Sequence, residues 1–276
     1  MAKIKNFAKE KILQLSSNFK VRKFFQIPFI KKFAKPIYFK MFGPRNGKCS
    51  YVIDGVSCNF RVNDKEEFDC IMSGANFETH MLKILLQEIK PGDNVFDVGA
   101  CMGFHSIFFA EKAGSKGRVI AFEPDDKRFG ILCENIKNNN LEKNILPLKI
   151  ALGDSIKKGR VERVPDGDLK IRETDISDSE GVEIVPGDMV IKDKNLPYPN
   201  VIKIDVEGYE YSVINGMEDI LKQKQCRIVC CEIHLDFLPP EVTSDMVLNK
   251  LKGFGFNNIK TFPPRWNTFH AICYKD

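Results

Sequence analysis

Nowhere in this chain of 276 residues does an uncharged apolar run approach the about 20 residues needed to cross a bilayer, and Pro28 and Pro36 interrupt the best candidates. A cleavable signal is also disfavoured, because lysines recur through the first segment where an apolar core should lie. The nine cysteines include no C-x-x-C pair, and the one close group, Cys226, Cys230 and Cys231, lacks the spacing of a structural zinc site. Such a scattered, odd set reads as free thiols in a reducing compartment, with Cys70, Cys133, Cys231 and Cys273 acting as small core residues in apolar runs. The chain has no G-x-G-x-x-G dinucleotide fingerprint, no Gly-Lys-Ser/Thr of a P-loop, and no sequence repeat. Together these absences exclude a membrane-spanning protein, a zinc-stapled domain and a P-loop nucleotidase.

What is present suits an ordinary globular protein. The hydrophobic fraction is 43% and the charged fraction 29%, with enough length for one large domain or two small ones. Charge is unevenly placed. Residues 1–42 hold eleven Lys or Arg against a single acid, Glu10, so in a chain of net +5 the arm carries +10 and the remainder −5. The same arm is apolar: Ile4, Phe7, Ala8, Ile12 and Leu15 share a helical face, and "FFQIPFIKKFAKPIYFKMF" interleaves seven aromatics with lysines. It reads as helices packing on the domain, as an anchor at an anionic membrane surface, or, least in keeping with its aromatics, as a nucleic-acid arm; no nucleic-acid partner is expected.

From Gly43 the pattern changes. "SYVIDGVSCNF" reads as a hairpin within a lead-in over 43–75, and Leu82, Leu85, Leu86 and Ile89 mark a helix over 76–89, ended by Pro91-Gly92. Apolar strands and amphipathic helices then alternate: strand "NVFDVG", helix 103–113, strand "GRVIAFEPD", helix 125–138, strand "NILPLKIAL". After an insert at 155–195, rich in Lys, Asp, Gly and Glu with weak strand signals, come the strand "NVIKIDVEG", a helix over 210–222, the strand "CRIVCCEIH", a helix near 242–252 and a terminal pair "FNNIKTF" and "FHAICYK" that suggests an antiparallel hairpin. The insert is a natural place for a substrate lid. The expectation is an α/β fold with a doubly wound, mostly parallel sheet over 76–276, its site at the carboxyl ends of the strands.

The turn "DVGACMG" after the first of these strands spaces its glycines G-x-x-x-G, with Cys101 where a dinucleotide turn would want its second Gly. A short turn preceded by Asp97 suits a cofactor without phosphates, and S-adenosylmethionine fits: Asp97, Gly99 and Gly103 would serve its amino-acid end, and Glu123, ending the next strand, its ribose hydroxyls. The alternative is that Asp97 caps a helix and Glu123 merely ends a strand. In order, "VFDVGACMGFHSIFFA", "VIAFEPD", "IALGD", "IKIDVEGYEYSVINGM" and "IVCCEIH" resemble the FkbM-type family of S-adenosylmethionine-dependent methyltransferases over roughly 75–235, with "IDVEGYE" the most specific string. The resemblance implies a Rossmann-like methyltransferase fold, cofactor contacts extending to Ala100, Cys101, Pro124, Ala151 and Leu152, and O-methylation of a hydroxyl on a sugar, glycan or polyketide. Cys101 and His105 depart from the Asn and the Tyr or Phe of the family's "DVGANIGYYS".

Methyl transfer from a sulfonium is an in-line displacement, so alignment dominates, but an aliphatic hydroxyl still needs its proton taken. Asp205 and Glu207, two apart at a strand end, would project to one face if the chain stays extended; Glu232 and His234 repeat the spacing on the next strand. His234 is the preferred base for its near-neutral intrinsic pKa, with Glu207 next; the bland reading makes one carboxylate a helix cap and His234 structural. Two carboxylates and a His could hold Mg²⁺, but the sequence identifies no third oxygen ligand, so no metal is assigned. His80, His105 and His270 do not stand out, and Trp266 could stack on a sugar ring or pack in a loop. A cytoplasmic enzyme, at the inner face of the membrane if the arm engages lipid, is the first reading. A non-catalytic cofactor-binding module and a membrane tether on a repurposed fold are the alternatives, separable by cofactor titration and by liposome binding.

Overall fold

The computed structural model describes Pro44 and residues 47–76, 78–163, 169–175, 177, 180–262 and 267–276. The basic arm and Trp266 lie outside the described residues. The chain enters through the expected hairpin, β1 (Lys48–Ile53) and β2 (Val56–Arg61), turned by Asp54 and Gly55, both at positive φ. Two helices follow, α1 (Lys65–Asn76) and α2 (Thr79–Glu88). The first corrects the reading of 43–75 as hairpin alone. Asp64 starts it by accepting the Glu67 N–H at 2.8 Å, and Phe68 and Ile71 bury its inner face. Gly74 near its end weakens the propensity signal, which is why it escapes a reading by periodicity.

The predicted alternation is then realised: β3 (Asn94–Val98), α3 (Phe104–Ala113), β4 (Arg118–Phe122), α4 (Asp126–Asn138) and β5 (Ile145–Leu148). Asp125 caps α4 by accepting the Arg128 N–H. The strand expected through residue 152 divides, and β6 (Ala151–Leu152) leaves the main sheet to pair with the insert. That insert is a built element: β7 (Lys157–Arg163), β8 (Leu169–Thr174) and β9 (Val182–Val185) join β6 in a four-stranded sheet of order β6-β9-β7-β8, followed by an unanticipated helix, α5 (Gly187–Lys194). After β10 (Val201–Ile204), the single helix expected over 210–222 is two, α6 (Glu210–Asn215) and α7 (Glu218–Lys222), with Gly216 between them packed against the Gly153 carbonyl. The chain ends with β11 (Ile228–His234), α8 (Ser244–Gly253), β12 (Asn258–Thr261) and β13 (Thr268–Tyr274), the last two forming the expected antiparallel hairpin.

The main sheet has the order β12-β13-β11-β10-β3-β4-β5, parallel from β11 to β5 and antiparallel at the β13 and β12 edge. Because side chains alternate along a strand, Val95, Val119 and Val201 feed the core under α2, α3 and the hairpin, whereas Phe96, Ile120 and Ile202 feed the core under α6, α7 and α8. The hairpin belongs to the first core: Phe60 lies 5.1 Å from Phe104 and 6.0 Å from Phe108, ring centre to ring centre. Buried Asn135 ties hairpin to glycine turn, accepting the Arg61 N–H at 2.7 Å and donating to the Met102 carbonyl at 2.8 Å. Among the described residues no helix is long and apolar enough to cross a membrane. The carboxyl ends of β3, β4, β10 and β11 meet along one edge, which carries Asp97, Glu123, Asp205, Glu207, Glu232 and His234.

Candidate functional site

On the side of β3 and β4 the site is made of backbone. Gly99 stands at φ +84°, and a Cβ there would fall 1.8 Å from the Asp205 carbonyl oxygen, so the turn can press against the exit of β10 only with glycine at this position. The Gly99 and Ala100 N–H groups donate to the Phe122 carbonyl at 3.1 and 2.9 Å. Cys101, at φ +50°, donates its N–H to Glu123 Oε2 at 2.8 Å, while the Asp125 N–H donates to Glu123 Oε1 at 2.8 Å. Glu123 is buried. Desolvation pushes its carboxyl up to about 7, against the two N–H donors that favour its anion. Each of its oxygens keeps a lone pair beyond the bond it already accepts. Asp97 lies wholly buried beneath the turn, accepting from Ser106 Oγ at 2.5 Å and 3.8 Å from Lys203 Nζ. It holds the turn from below. Pro124 is half-buried at the mouth of a cleft of about 220 Å³ shared with Asp125, Asp126, Arg160, Val161, Glu180 and Val182, and Ala151 and Leu152 are buried where β6 meets β9.

On the side of β10 and β11 the site is made of side chains. The extended-chain expectation for Asp205 and Glu207 fails, since β10 ends at Ile204 and Glu207 sits at φ +52°. The turn nonetheless returns both carboxylates to one place. His234 Nε2 lies 3.8 Å from Asp205 Oδ1, 3.3 Å from Glu207 Oε2 and 3.8 Å from Glu232 Oε1, while its Nδ1 is 2.7 Å from Glu210 Oε1. Glu210, fully buried, also accepts the Gly208 N–H at 2.9 Å. Burial alone would lower the His234 pKa, but the Glu210 bond and the charges of Glu207 and Asp205 raise it to about 10. In the cluster as it stands His234 is an imidazolium, and it offers a lone pair only once Nε2 gives up its proton.

Lys203 is the centre of this edge. It is buried, 2.9 Å from Asp205 Oδ2, and burial, which would lower its pKa, is overcome by Asp205, Asp97 and Glu78, which hold it protonated. Lys203 and His234 in turn hold Asp205 ionised despite its desolvation. Glu78, arriving from the loop before α2, is pushed up to about 8 by burial and by Glu232 and Asp205. It lies 3.2 Å from Nε2 of His105, whose ring burial keeps neutral. His270 Nε2 is 3.0 Å from Glu232 Oε2 across the β11–β13 pairing.

The fold thus brings Asp205, Glu207, Glu232 and His234 together, and joins the turn that holds Ala100, Cys101, Gly103 and Glu123 to them through Gly99, which presses on Asp205, and through Asp97, beside Lys203. Glu78, Lys203, Glu210, His105 and His270 were missed as site residues. For Lys203 a signal existed: one lysine inside a strand otherwise apolar on both faces needs a buried partner. Two ligand sets could hold a metal ion, Asp205 with Glu207 and His234, and Glu78 with Asp205 and Glu232, each with its ligand atoms within 4.8 Å of one another. The set that holds the histidine keeps the two carboxylates that sequence spacing gave, and the three-carboxylate set draws on Glu78, which spacing did not single out.

This arrangement has relatives. A family model described as "Methyltransferase FkbM domain" matches residues 97–257, from the aspartate under the turn to the strand pair at the sheet edge. The hexuronic acid methyltransferase AglP of Haloferax volcanii is 30% identical over 191 residues, 69% of this chain and 76% of that protein. Among solved structures, the chain is similar to a precorrin-6y C5,15-methyltransferase from Geobacter metallireducens (13% identity, TM-score 0.44, 72% of this chain and 89% of that one). It is similar also to a SAM-dependent O-methyltransferase from Thermotoga maritima (11% identity, TM-score 0.44, 82% and 77%). On the family match across more than half its length, the chain belongs to the FkbM family of methyltransferases.

Proposed function

We propose that this enzyme methylates a hydroxyl of a sugar in a glycan or glycolipid, with S-adenosylmethionine as donor. The observation that carries the reading is one juxtaposition: a glycine turn tied by its Cys101 N–H to a buried acid, Glu123, presses at Gly99 on Asp205, a member of the carboxylate–histidine cluster at the same sheet edge. The residues present fit the cofactor, because a Cβ at Gly99 or Gly103 would collide with Asp205 or Leu132, so the turn at 99–103 keeps a bare, tightly folded backbone, and Glu123 keeps acceptor capacity for a pair of ribose hydroxyls. Gly99, Ala100, Cys101 and Gly103 would hold the amino-acid end, Glu123 the ribose, and Pro124, Ala151 and Leu152 would flank the remainder, with Asp97 fixing the turn. When bound, S-adenosylmethionine supplies an electrophilic methyl on a cationic sulfur. The chain's own part is to align the acceptor oxygen, exclude water and pass the hydroxyl proton to the Asp205–Glu207–His234 cluster.

A sugar acceptor is supported by the relative that acts on hexuronic acid. Residues 1–42, with +10 charge and interleaved aromatics, would hold the enzyme at the cytoplasmic face of an anionic membrane, which suits a lipid-linked or growing glycan. The test is mass spectrometry of glycans and glycolipids from cells with and without the gene. One methyl lost without the gene, and stable to alkali as an ether is, supports the reading. An alkali-labile methyl would move the acceptor atom to a carboxylate, and an unchanged glycan profile contradicts a sugar acceptor. For the cluster, Glu207→Gln and His234→Gln should each lower turnover about 10²-fold with cofactor affinity nearly intact.

A further inference from the structure

We propose that the cluster at the ends of β10 and β11 is a divalent-cation site for Mg²⁺ or Mn²⁺, with Asp205, Glu207 and His234 as ligands and Glu232 beside them. The inference rests on reading this edge as the acceptor end of the active site. Asp205 Oδ1 and Glu207 Oε2 stand 3.8 and 3.3 Å from His234 Nε2, and these three residues offer ligand atoms within 4.8 Å of one another, with Glu232 Oε1 a further 3.8 Å from Nε2. Ligands held about 2.1 Å from a metal lie about 3 Å apart when adjacent and about 4.2 Å apart when opposite, so the cluster is already near coordination spacing.

Each ligand is also aimed from behind. Asp205 presents Oδ1 because Lys203 holds its Oδ2 at 2.9 Å. Glu232 presents Oε1 because its Oε2 is 3.0 Å from His270. His234 presents Nε2 because Glu210, fully buried and fixed by the Gly208 N–H, takes Nδ1 at 2.7 Å. A carboxylate behind a histidine, fixing its tautomer and its direction, is the support that metal-bound imidazoles use. Beside it, His105, more than nine-tenths buried, sets its Nε2 3.2 Å from Glu78 Oε2, a member of the adjoining set with Asp205 and Glu232, so that imidazole and carboxylate again stand together.

Charge favours a cation as well. With His105 neutral and Glu78 held up by burial, Asp97, Asp205, Glu207, Glu210 and Glu232 still face only one lysine and two imidazoles, so the edge is acidic even with both imidazoles protonated. An acidic sugar would be repelled from such a wall, and a bound divalent ion would give it a positive face to meet. Oxygen-rich sets with one imidazole suit Mg²⁺ and Mn²⁺ better than the thiolate-seeking metals.

The test is titration of the full-length, chelator-stripped protein with Mn²⁺, following the free ion by electron paramagnetic resonance, beside a calorimetric titration with S-adenosylmethionine. One Mn²⁺ per chain is expected, displaced by Mg²⁺, weakened at least tenfold in Glu207→Gln and 10- to 100-fold in Glu210→Gln, and unchanged in Asp54→Asn on the hairpin turn. Pulsed resonance of the bound ion should show coupling to a histidine nitrogen, a readout that needs no variant. No Mn²⁺ bound below millimolar concentration, binding equal in all variants, or bound Mn²⁺ without nitrogen coupling would overturn the site. Because cofactor binding is read separately, failure to bind Mn²⁺ with normal S-adenosylmethionine affinity removes the metal and leaves the methyltransferase reading standing.

Discussion

A methyl group at residue 99 would have to share space with the Asp205 carbonyl oxygen, and the backbone there is left-handed, so Gly99→Ala carries two penalties at once. It should lower stability by about 1 to 3 kcal/mol in urea unfolding and abolish cofactor binding. An alanine variant with wild-type stability would show that the turn is not pressed against β10. Glu123 makes a second residue-scale prediction. Its carboxyl is held near 7 in the free protein by burial, and hydroxyl donors bind its anion, so binding should strengthen as pH rises through that value. With 5′-methylthioadenosine, which has the ribose but no titrating amino-acid end, affinity should be about tenfold weaker at pH 6 than at pH 8, and Glu123→Ala should flatten the profile. A flat wild-type profile would take the ribose away from Glu123. At this scale the sequence was legible where the candidate site repeats a local spacing, as with Glu123 at a strand end and Glu232 with His234; Asp205 and Glu207 meet as well, but through a left-handed turn and not an extended strand. It was not legible where a partner arrives from far away, as Glu78 does on His105 or Glu210 on His234 across 24 residues.

Among elements, the hairpin before the core is the one whose standing is least obvious from pattern, because two short strands alone are marginal in water. Here it is stapled to the catalytic half by the Phe60, Phe104 and Phe108 rings and by Asn135. Phe60→Ala should therefore cost about 3 to 5 kcal/mol in denaturant unfolding. A loss under about 1 kcal/mol would make the hairpin an appendage instead. The parallel strands were readable because their near-continuous apolar runs demand cover on both faces. The exceptions share a cause. The break of β6 from β5 and the split of α6 from α7 both come from the insert sheet docking on the core, with Gly153 and Gly216 in contact, and no local pattern announces a contact between segments some sixty residues apart.

For the whole molecule, the division of charge is the feature that composition alone exposes. The arm carries +10 and the rest −5, so vesicle binding should be driven by the arm, with each Lys or Arg near an anionic leaflet worth about 1 kcal/mol. Co-sedimentation with anionic vesicles should be strong for the full chain, fall as salt rises, and be lost in a chain beginning at Gly43; equal sedimentation of the two would remove the membrane from the account. The central claim is that the edge joining the glycine turn, Glu123 and the carboxylate–histidine cluster is an S-adenosylmethionine site. Calorimetric titration of the full chain with S-adenosylmethionine, S-adenosylhomocysteine and NAD tests it most directly. One saturable site is expected for the first two, weakened roughly tenfold to a hundredfold by Glu123→Ala through the loss of about 1.5 to 3 kcal/mol, with no binding of NAD. NAD binding at this site, or S-adenosylmethionine affinity unchanged in a folded Glu123→Ala variant, would contradict it.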